Sequence, residues 1–415
     1  MIILIVINSY SLIGQISYTI KGTIVYNSER GTWYGVNIPR DVPTKFIYRN
    51  NSISSLNSEG YLLQAGDENS SDRDNNLDRQ EITGNEFIWN GSNDPTIITH
   101  GLFTGYNVNS IVKYNNLVNV PYGIIFKSGT DDGKNMTFTS GGCAYNICKN
   151  GKFSIRMKGI NGVKVYNNTF YSGDGSGNYL VLITSNQDRA VPSPSTDTKI
   201  FNNIFYSTMQ IPMISIETAC LPNFESDYNV FWCTVGEPTF AIDGVKYTWQ
   251  QWKALGYDLH SQLMSPNFID TIDFVPTARL NYGLDLGLEW QTGLSTTASW
   301  VAGSPPATAN QNGKWQVGAR IIQITSNDSL SHSNGFKIYP NPSNGKFKID
   351  IDKMPPEGVH VEIRNIHGQK LMEQMIYSSS TKWSVKQYSG SIFYIILSSK
   401  NSIASKKIIS NNSLN

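Results

Sequence analysis

Short runs of alternating apolar and polar residues recur along the first two thirds of the chain. The clearest are residues 123–127, 154–158, 180–184 and 213–217. Side chains of a strand point alternately to opposite faces, so this alternation predicts strands with one face in a core. Ile124, Ile155, Val181 and Ile214 fall on the core face, while the intervening positions face solvent. Helical spacing over more than a few residues occurs only near residues 248–255.

A second pattern is a strand-like run centred on asparagine. It occurs at residues 48–51, 82–85, 113–116, 165–168, 200–203 and 227–229, and with Ile147 in place of the second asparagine at residues 144–147. Counted from Asn85 to Asn116, Ile147, Asn168 and Asn203, the intervals are 31, 31, 21 and 35 residues. Recurrence at such a period is the signature of a solenoid. We expect the asparagines to stack inside the bends, and Ile147 to interrupt the stack.

These patterns predict an all-β protein whose main body is a right-handed parallel β-helix. The coils are expected over about residues 20–245, and the amides of stacked asparagines would satisfy buried turn backbone. Residues 247–256 read as a short amphipathic helix that ends at a glycine. Because the end of a solenoid needs a cap, we assign that role to residues 239–322, which completes a β-helix domain at 20–322.

Beyond a Ser- and Asn-rich linker at 323–334, residues 335–413 form a small module of alternating strands, expected to be a β-sandwich. Its motifs lie at 336–345, 361–369, 390–394 and 406–409. Together they closely resemble the C-terminal sorting domain of the Bacteroidetes type IX secretion system. The resemblance implies a Gram-negative protein that is secreted or attached to the outer-membrane surface, with the secretion machinery as a partner. A β-sandwich binding module is the alternative.

The beginning of the chain also bears on export. Residues 1–15 contain an apolar run too short to span a bilayer and read as a secretory signal, with a buried first strand as the alternative. We expect no membrane span elsewhere. A net charge of +1 over 415 residues is too small to attract nucleic acid or a membrane surface through the field of the whole protein. An anionic ligand therefore needs a local cluster of positive charge. We expect a monomer.

The four cysteines fit an exported protein but are too few for a disulfide scaffold. Cys143 and Cys148 flank one strand and lie too far apart to bridge. Cys220 and Cys233 could meet on adjacent coils, and buried free thiols are the alternative.

Candidate chemistry lies on the outward strand positions. Aligning the strands brings Lys127, Arg156 and Lys158 to neighbouring coils, with Tyr122 and His100 close by. Elimination from a uronate needs a cation for the carboxylate, a base for the C5 proton and an acid for the leaving oxygen. Repulsion within a cationic cluster lowers a lysine pKa and makes a better base. For each of these residues, the alternative is a solvated surface side chain without a catalytic or binding role.

Hydrolysis on the same scaffold needs two carboxyl groups about the scissile bond. Only Glu217 offers one on this face, and Asp243 lies at least one coil beyond. The pair Asp131 and Asp132 is favoured as a turn, and His260 in the capping segment as structural.

Residues 104–109, 120–129, 141–146, 157–160 and 165–170 resemble the right-handed β-helix polysaccharide lyases, most of all the alginate lyases of polysaccharide lyase family 31. The resemblance implies Lys158 and Tyr122 as the catalytic pair. It further implies substrate-binding roles for Lys127, Arg156, His100 and Tyr145.

The sequence thus predicts a secreted lyase that cleaves an acidic polysaccharide, alginate in the first place, by β-elimination. A glycoside hydrolase and a non-catalytic surface glycan-binding protein are the alternatives. We expect no cofactor. The acidic loop at 67–78 could hold Ca²⁺ but lacks the spacing of a calcium motif, which favours a solvated loop.

Overall fold

In a computed structural model, the chain forms two compact units, Met1–Ile322 and Gln323–Asn415. The structure describes residues 10–410 apart from 13–14, 27–32, 35–43, 56–59, 66–76, 91–98, 106–109, 129–135, 138–139, 174, 176, 189, 324–335, 353, 366–368, 389–391 and 400–401. Residues 1–9 of the expected signal, the calcium-loop residues 67–76, the pair 131–132 and nearly all of the linker lie outside the described residues.

The first unit is a parallel β-helix with three ladders of strands, here named sheets A, B and C. Sheet A contains Leu77–Thr83, Ser110–Lys113, Gly142–Ala144, Lys164–Tyr166, Lys199–Phe201 and Glu225–Asp227. Sheet B contains Glu86–Trp89, Asn116–Val118, Ile147–Lys149, Thr169–Ser172, Ile204–Ser207, Val230–Cys233 and Gln262–Leu263. Gln15–Tyr26 and Thr44–Ser55 run through both A and B, and Tyr10–Leu12 pairs antiparallel with the former.

Sheet C completes each coil. It contains Trp33–Tyr34, Gly60–Ala65, Thr99–Gly105, Tyr122–Lys127, Phe153–Lys158, Val181–Thr184, Pro212–Ile216 and Thr239–Ile242, with Val245–Tyr247 added antiparallel. A small pair, Met136–Thr137 with Ile160–Asn161, and a short 3₁₀ turn at Thr218–Cys220 lie between coils. The predicted all-β class and the parallel β-helix are confirmed.

The period-2 pattern places the core as the sequence predicts. Ile124 pairs with Ile155, Ile155 with Val181, and Val181 with Ile214, and all four side chains are fully buried. Each coil therefore stacks an aliphatic side chain on that of the next, and the residues between them point away from the core. Residues on the outward face are consequently in register from coil to coil.

The asparagines form a continuous hydrogen-bonded ladder at the bend between sheets A and B, which confirms their predicted place inside the bends. Its members are Asn51, Asn85, Asn115, Asn146, Asn168, Asn203 and Asn229. Within it, the Oδ1 of Asn115 accepts from the backbone N and the Nδ2 of Asn85, both at 3.0 Å. The Nδ2 of Asn115 in turn donates to the Oδ1 of Asn146 at 2.9 Å and to the carbonyl of Ile82. Each side chain thus joins three successive coils.

The predicted interruption at Ile147 is wrong. Asn116 and Ile147 pair with each other in sheet B, one position after the ladder, and the ladder passes through Asn146. The residue before each ladder asparagine adopts the left-handed conformation, with φ of +62° at Tyr114 and +56° at Tyr145. In a pair of adjacent asparagines, the ladder member is the one that follows the left-handed residue.

The C-terminal end of the β-helix is closed by a short helix, Trp249–Ala254. Thr248 begins it with a capping box, and the buried Trp252 stacks on Phe240 with ring centroids 4.7 Å apart. The asparagine ladder ends on the buried Asp258, whose Oδ1 accepts from the Nδ2 of Asn229 at 2.9 Å. The end of the solenoid is therefore covered by aromatic rings and its last ladder amide is satisfied.

Residues 280–321 were expected to belong to the cap, but they run back along the asparagine bends; we call them the return segment. Leu284 contacts Asn202, and Gly303 donates to the carbonyl of Asn50 at 2.7 Å. The segment contains the short 3₁₀ turn Leu288–Trp290 and the strands Thr292–Ser295, Thr308–Asn310 and Arg320–Ile321. It covers the outer side of the bends, which explains how large side chains there become buried.

The second unit is a two-sheet sandwich. One sheet contains Phe336–Tyr339, Lys346–Ile351 and Ser380–Ser384, and the other contains Val359–Asn365, Lys370–Ile376, Ile392–Ser399 and Ser402–Ile409. Alternate residues of both sheets, such as Phe347, Ile363 and Ile395, meet in one core.

All four cysteines are buried free thiols, so Cys220 and Cys233 do not form the bridge that the sequence left open. Burial raises the pKa of Cys220 to about 11. These thiols behave as core side chains.

Candidate functional site

The outward face of sheet C carries a cluster of three cations. Lys127 pairs in register with Lys158, and Lys158 pairs with Thr184 on the next coil. Arg156 precedes Lys158 by two residues and therefore points to the same side of the sheet. Its Nε and one terminal nitrogen lie 3.4 Å from the hydroxyl of Thr184. The structure thus brings together Lys127, Arg156 and Lys158 on one surface.

A carboxylate that no sequence pattern indicated lies between the two lysines. Oδ2 of Asp188 is 2.5 Å from the Nζ of Lys158 and 3.0 Å from the Nζ of Lys127. The lysine side chains are only 16% and 7% exposed, whereas that of Asp188 is 50% exposed. Asp188 therefore lies on the solvent side of two largely buried ammonium groups.

The loop that carries Asp188 is fastened to the strands that carry the lysines. Asn186 and Ser193 close its base through two backbone hydrogen bonds, and the backbone N of Asp188 donates to the Oδ1 of Asn186. The Nδ2 of Asn186 donates to the carbonyl of Ser128, the residue after Lys127. Gly159, the residue after Lys158, has φ of +67°, and a Cβ there would lie 2.5 Å from that of Asn186. The position of Asp188 is therefore set by close backbone packing.

Burial and neighbouring charges shift the protonation equilibria of this cluster. Burial lowers the pKa of Lys158, and the positive charges of Lys127 and Arg156 lower it further, against the opposing effect of Asp188. Burial also lowers the pKa of Arg156. Partial burial raises the pKa of Asp188, but hydrogen bonds from Lys158 and Lys127 outweigh it and bring the pKa to about 2. Asp188 is thus ionised at any ordinary pH, and Lys158 loses its proton more readily than a solvated lysine.

An open pocket of about 800 Å³ adjoins the cations on the side of the later coils. Thr184, the register neighbour of Lys158, lines it together with Glu217 and Asp243. Oε2 of Glu217 accepts from the backbone N of Ser185 at 2.7 Å. Asp243 accepts from the backbone N and the hydroxyl of Thr218, and these bonds lower its pKa. The outward face therefore passes from a cationic to an acidic region.

Tyr122 and His100 lie at the other end of the same strands. Tyr122 pairs with Phe153 on one side and with His100 on the other. Its hydroxyl is 3.5 Å from the Nζ of Lys152, and its ring packs edge-on against Phe153. Because Phe153 precedes Lys158 by five residues, the backbones at Tyr122 and Lys158 are about 16 Å apart along the strand. The catalytic pairing of these two residues stays a prediction.

Tyr145 does not belong to this surface. It occupies the bend between sheets A and B, is fully buried, and donates from its hydroxyl to the carbonyl of Trp290 at 2.5 Å. Burial raises its pKa above the usual range for tyrosine. The return segment covers it, so a role in contacting substrate does not agree with its position, and we assign it a structural role.

His260, another candidate that the structure describes, belongs to the closed end of the β-helix. The Nδ1 of His260 lies 2.6 Å from Oδ2 of Asp227, and its ring stacks on Tyr228 at the closed end of the β-helix. Within the described part of the chain, no group of His, Cys, Asp and Glu side chains has the arrangement of a metal site. Among those residues there is also no helix that is long and apolar enough to cross a membrane.

Comparison with known proteins concerns the second unit. Residues 337–411 match the family described as the secretion system C-terminal sorting domain. A search among curated proteins finds no match to the chain. The sorting domain predicted from the sequence is therefore present, and it indicates secretion, attachment to the outer-membrane surface being one fate of such Bacteroidetes proteins. It also implies an interaction with the type IX secretion machinery.

Proposed function

We propose that the β-helix of this exported protein is a polysaccharide lyase that cleaves a uronate polymer by β-elimination. The observation that carries the proposal is the cluster of Lys127, Arg156 and Lys158 on an open outward face, with one carboxylate held between the lysines. The two lysines share one carboxylate and Arg156 lies beside them, so the positive charge of the cluster favours a second anion. A uronate polymer lying across the coils supplies one at each sugar.

In this reaction Lys158 is the base. Its Nζ takes the proton from C5, the electrons of the C–H bond form the double bond between C4 and C5, and the bond from C4 to the glycosidic oxygen breaks. Lys127 and Arg156 balance the charge that builds on the carboxylate as C5 loses its proton. The lowered pKa of Lys158 supports this role, because a larger fraction of the amine is free near neutral pH. The resemblance implies Tyr122 as the acid, but its backbone lies about 16 Å from that of Lys158 along the strand, so the departing oxygen takes its proton from solvent instead.

A glycoside hydrolase is the second candidate, because Glu217 and Asp243 line one pocket. A glycosidase acid needs a raised pKa so that it keeps its proton. The pKa of Asp243 is instead lowered by its bonds to Thr218. We therefore place hydrolysis after elimination, and binding without reaction third.

The purified protein, incubated separately with alginate, pectate and glycosaminoglycans, should release products with the ultraviolet absorbance of a C4=C5 double bond. Lys158→Ala should abolish this absorbance while the circular dichroism spectrum is unchanged. Lys199→Ala is the matched control, since that side chain is 41% exposed and forms only a surface ion pair with Glu225. New reducing ends on a neutral glycan without absorbance on any uronate would support the hydrolase instead.

A further inference from the structure

We propose that Asp188 occupies the subsite for the substrate carboxylate, so that a uronate takes the place of Asp188 against Lys127 and leaves the amine of Lys158 to face C5. The identity of the ligand as a uronate rests on the proposed function. The location of the subsite rests on the geometry of the loop and the two lysines.

The contacts of Asp188 are those that a bound carboxylate needs. A single oxygen, Oδ2, accepts from both lysine amines at 2.5 and 3.0 Å, and both hydrogen bonds are charge-assisted. Each amine is largely buried and meets Asp188 on its solvent side. A sugar approaching from solvent therefore encounters Asp188 before it can reach either lysine.

The loop has a fixed base, whereas the side chain of Asp188 is half exposed. Its base, Asn186 and Ser193, is fully buried and bonded to itself and to the strand end at Ser128. Asp188 lies two residues beyond Asn186 and is half exposed, so its side chain can leave the lysines while the base stays packed. Exchange of one carboxylate for another then leaves the charge beside the lysines unchanged.

This arrangement makes a prediction opposite to that of an ordinary binding residue. If Asp188 merely orients the lysines, its removal weakens the binding of a uronate. If it competes for the subsite, its removal tightens binding. Asp188→Asn keeps the shape of the side chain and the backbone bond to Asn186, and it removes only the competing charge.

The test measures by titration calorimetry the Kd of the full chain for a trisaccharide of mannuronate and for one of galacturonate. The same sugars with methyl-esterified carboxyl groups serve as uncharged probes. For Asp188→Asn we expect the Kd of the charged sugars to fall about two- to fivefold, because a partly exposed ion pair no longer competes with the sugar. The esters should show no such change.

Glu237→Gln is the matched control, because it also removes one negative charge from the same unit but lies on an exposed loop after sheet B. Its Kd should equal that of the unmodified chain. Lys127→Ala should weaken binding of the charged sugars.

An unchanged or higher Kd for Asp188→Asn, or an equal gain for Glu237→Gln, would overturn the inference. Tighter binding without unsaturated product from any uronate polymer would retain the subsite and reject the lyase. Lyase activity with unaltered affinity in Asp188→Asn would retain the lyase and reject the subsite.

Discussion

Loss of one ladder asparagine should destabilise the β-helix far more than loss of an exposed asparagine. Asn146 is fully buried, and its Oδ1 accepts from the backbone N and the Nδ2 of Asn115 at 3.0 and 2.9 Å. Its Nδ2 donates to the carbonyl of Val112 at 2.9 Å and to the Oδ1 of Asn168 at 3.0 Å. Asn146→Ala removes these four hydrogen bonds together, and with them those of the Nδ2 to the Sγ of Cys143 and the carbonyl of Ala144.

The size of the effect follows from which groups are left without these partners. The Nδ2 of Asn115 keeps the carbonyl of Ile82, and the Oδ1 of Asn168 keeps the backbone N of residue 146. The backbone N of Asn115 loses its acceptor and the carbonyl of Val112 loses the Asn146 donor. At about 1–3 kcal/mol for each buried group so affected, the free energy of unfolding should fall by about 2–6 kcal/mol.

Urea unfolding of the full chain, followed by circular dichroism, measures this change. The transition of the C-terminal unit should not move, since Asn146 belongs to the other unit. Asn178→Ala, which removes the same group from an exposed side chain, should shift the free energy by no more than about 0.5 kcal/mol. Asn146→Leu fills the volume without polar atoms. Because the effect comes from hydrogen bonding, its free energy of unfolding should fall about as much as that of Asn146→Ala. Equal midpoints for Asn146→Ala and Asn178→Ala would refute the reasoning.

Two further predictions concern titration and the closed end of the β-helix. A base must be free of its proton, so the lowered pKa of Lys158 should place the rising limb of the kcat/KM profile below pH 10.5. Asp188→Asn should move this limb to still lower pH, because it removes the negative charge that favours the ammonium form of Lys158. A pH–rate profile with a limb at or above 10.5, or one that moves upward, would contradict this. The buried Asp258 accepts from Ser226, Asn229, Trp252 and Ser261, so Asp258→Ala should lower the free energy of unfolding by about 3 kcal/mol or more. Urea unfolding with Glu237→Ala as control checks this, and equal midpoints would count against it.

The residues of the candidate site that lie on strands were predictable from the sequence, because strand register decides which of them are neighbours. Lys127, Arg156 and Lys158 come together because each follows core residues by a fixed number of positions, and such counting needs only the period-2 pattern. Asp188 lies in a loop outside any strand, and a loop has no periodicity that could assign it to the lysines.

The sequence by itself determined the repeat, the alternating core and the presence of a sorting module, because each depends on local spacing. Which asparagine of a pair enters the ladder was decided by tertiary structure. The left-handed position falls on Asn167 in one coil, as asparagine favours, but on Tyr114 and Tyr145 in others. Tyrosine accepts that conformation there because its hydroxyl bonds to the return segment, at Thr292 and Trp290. Those partners lie more than a hundred residues away in sequence, so only the folded chain brings them to the bend.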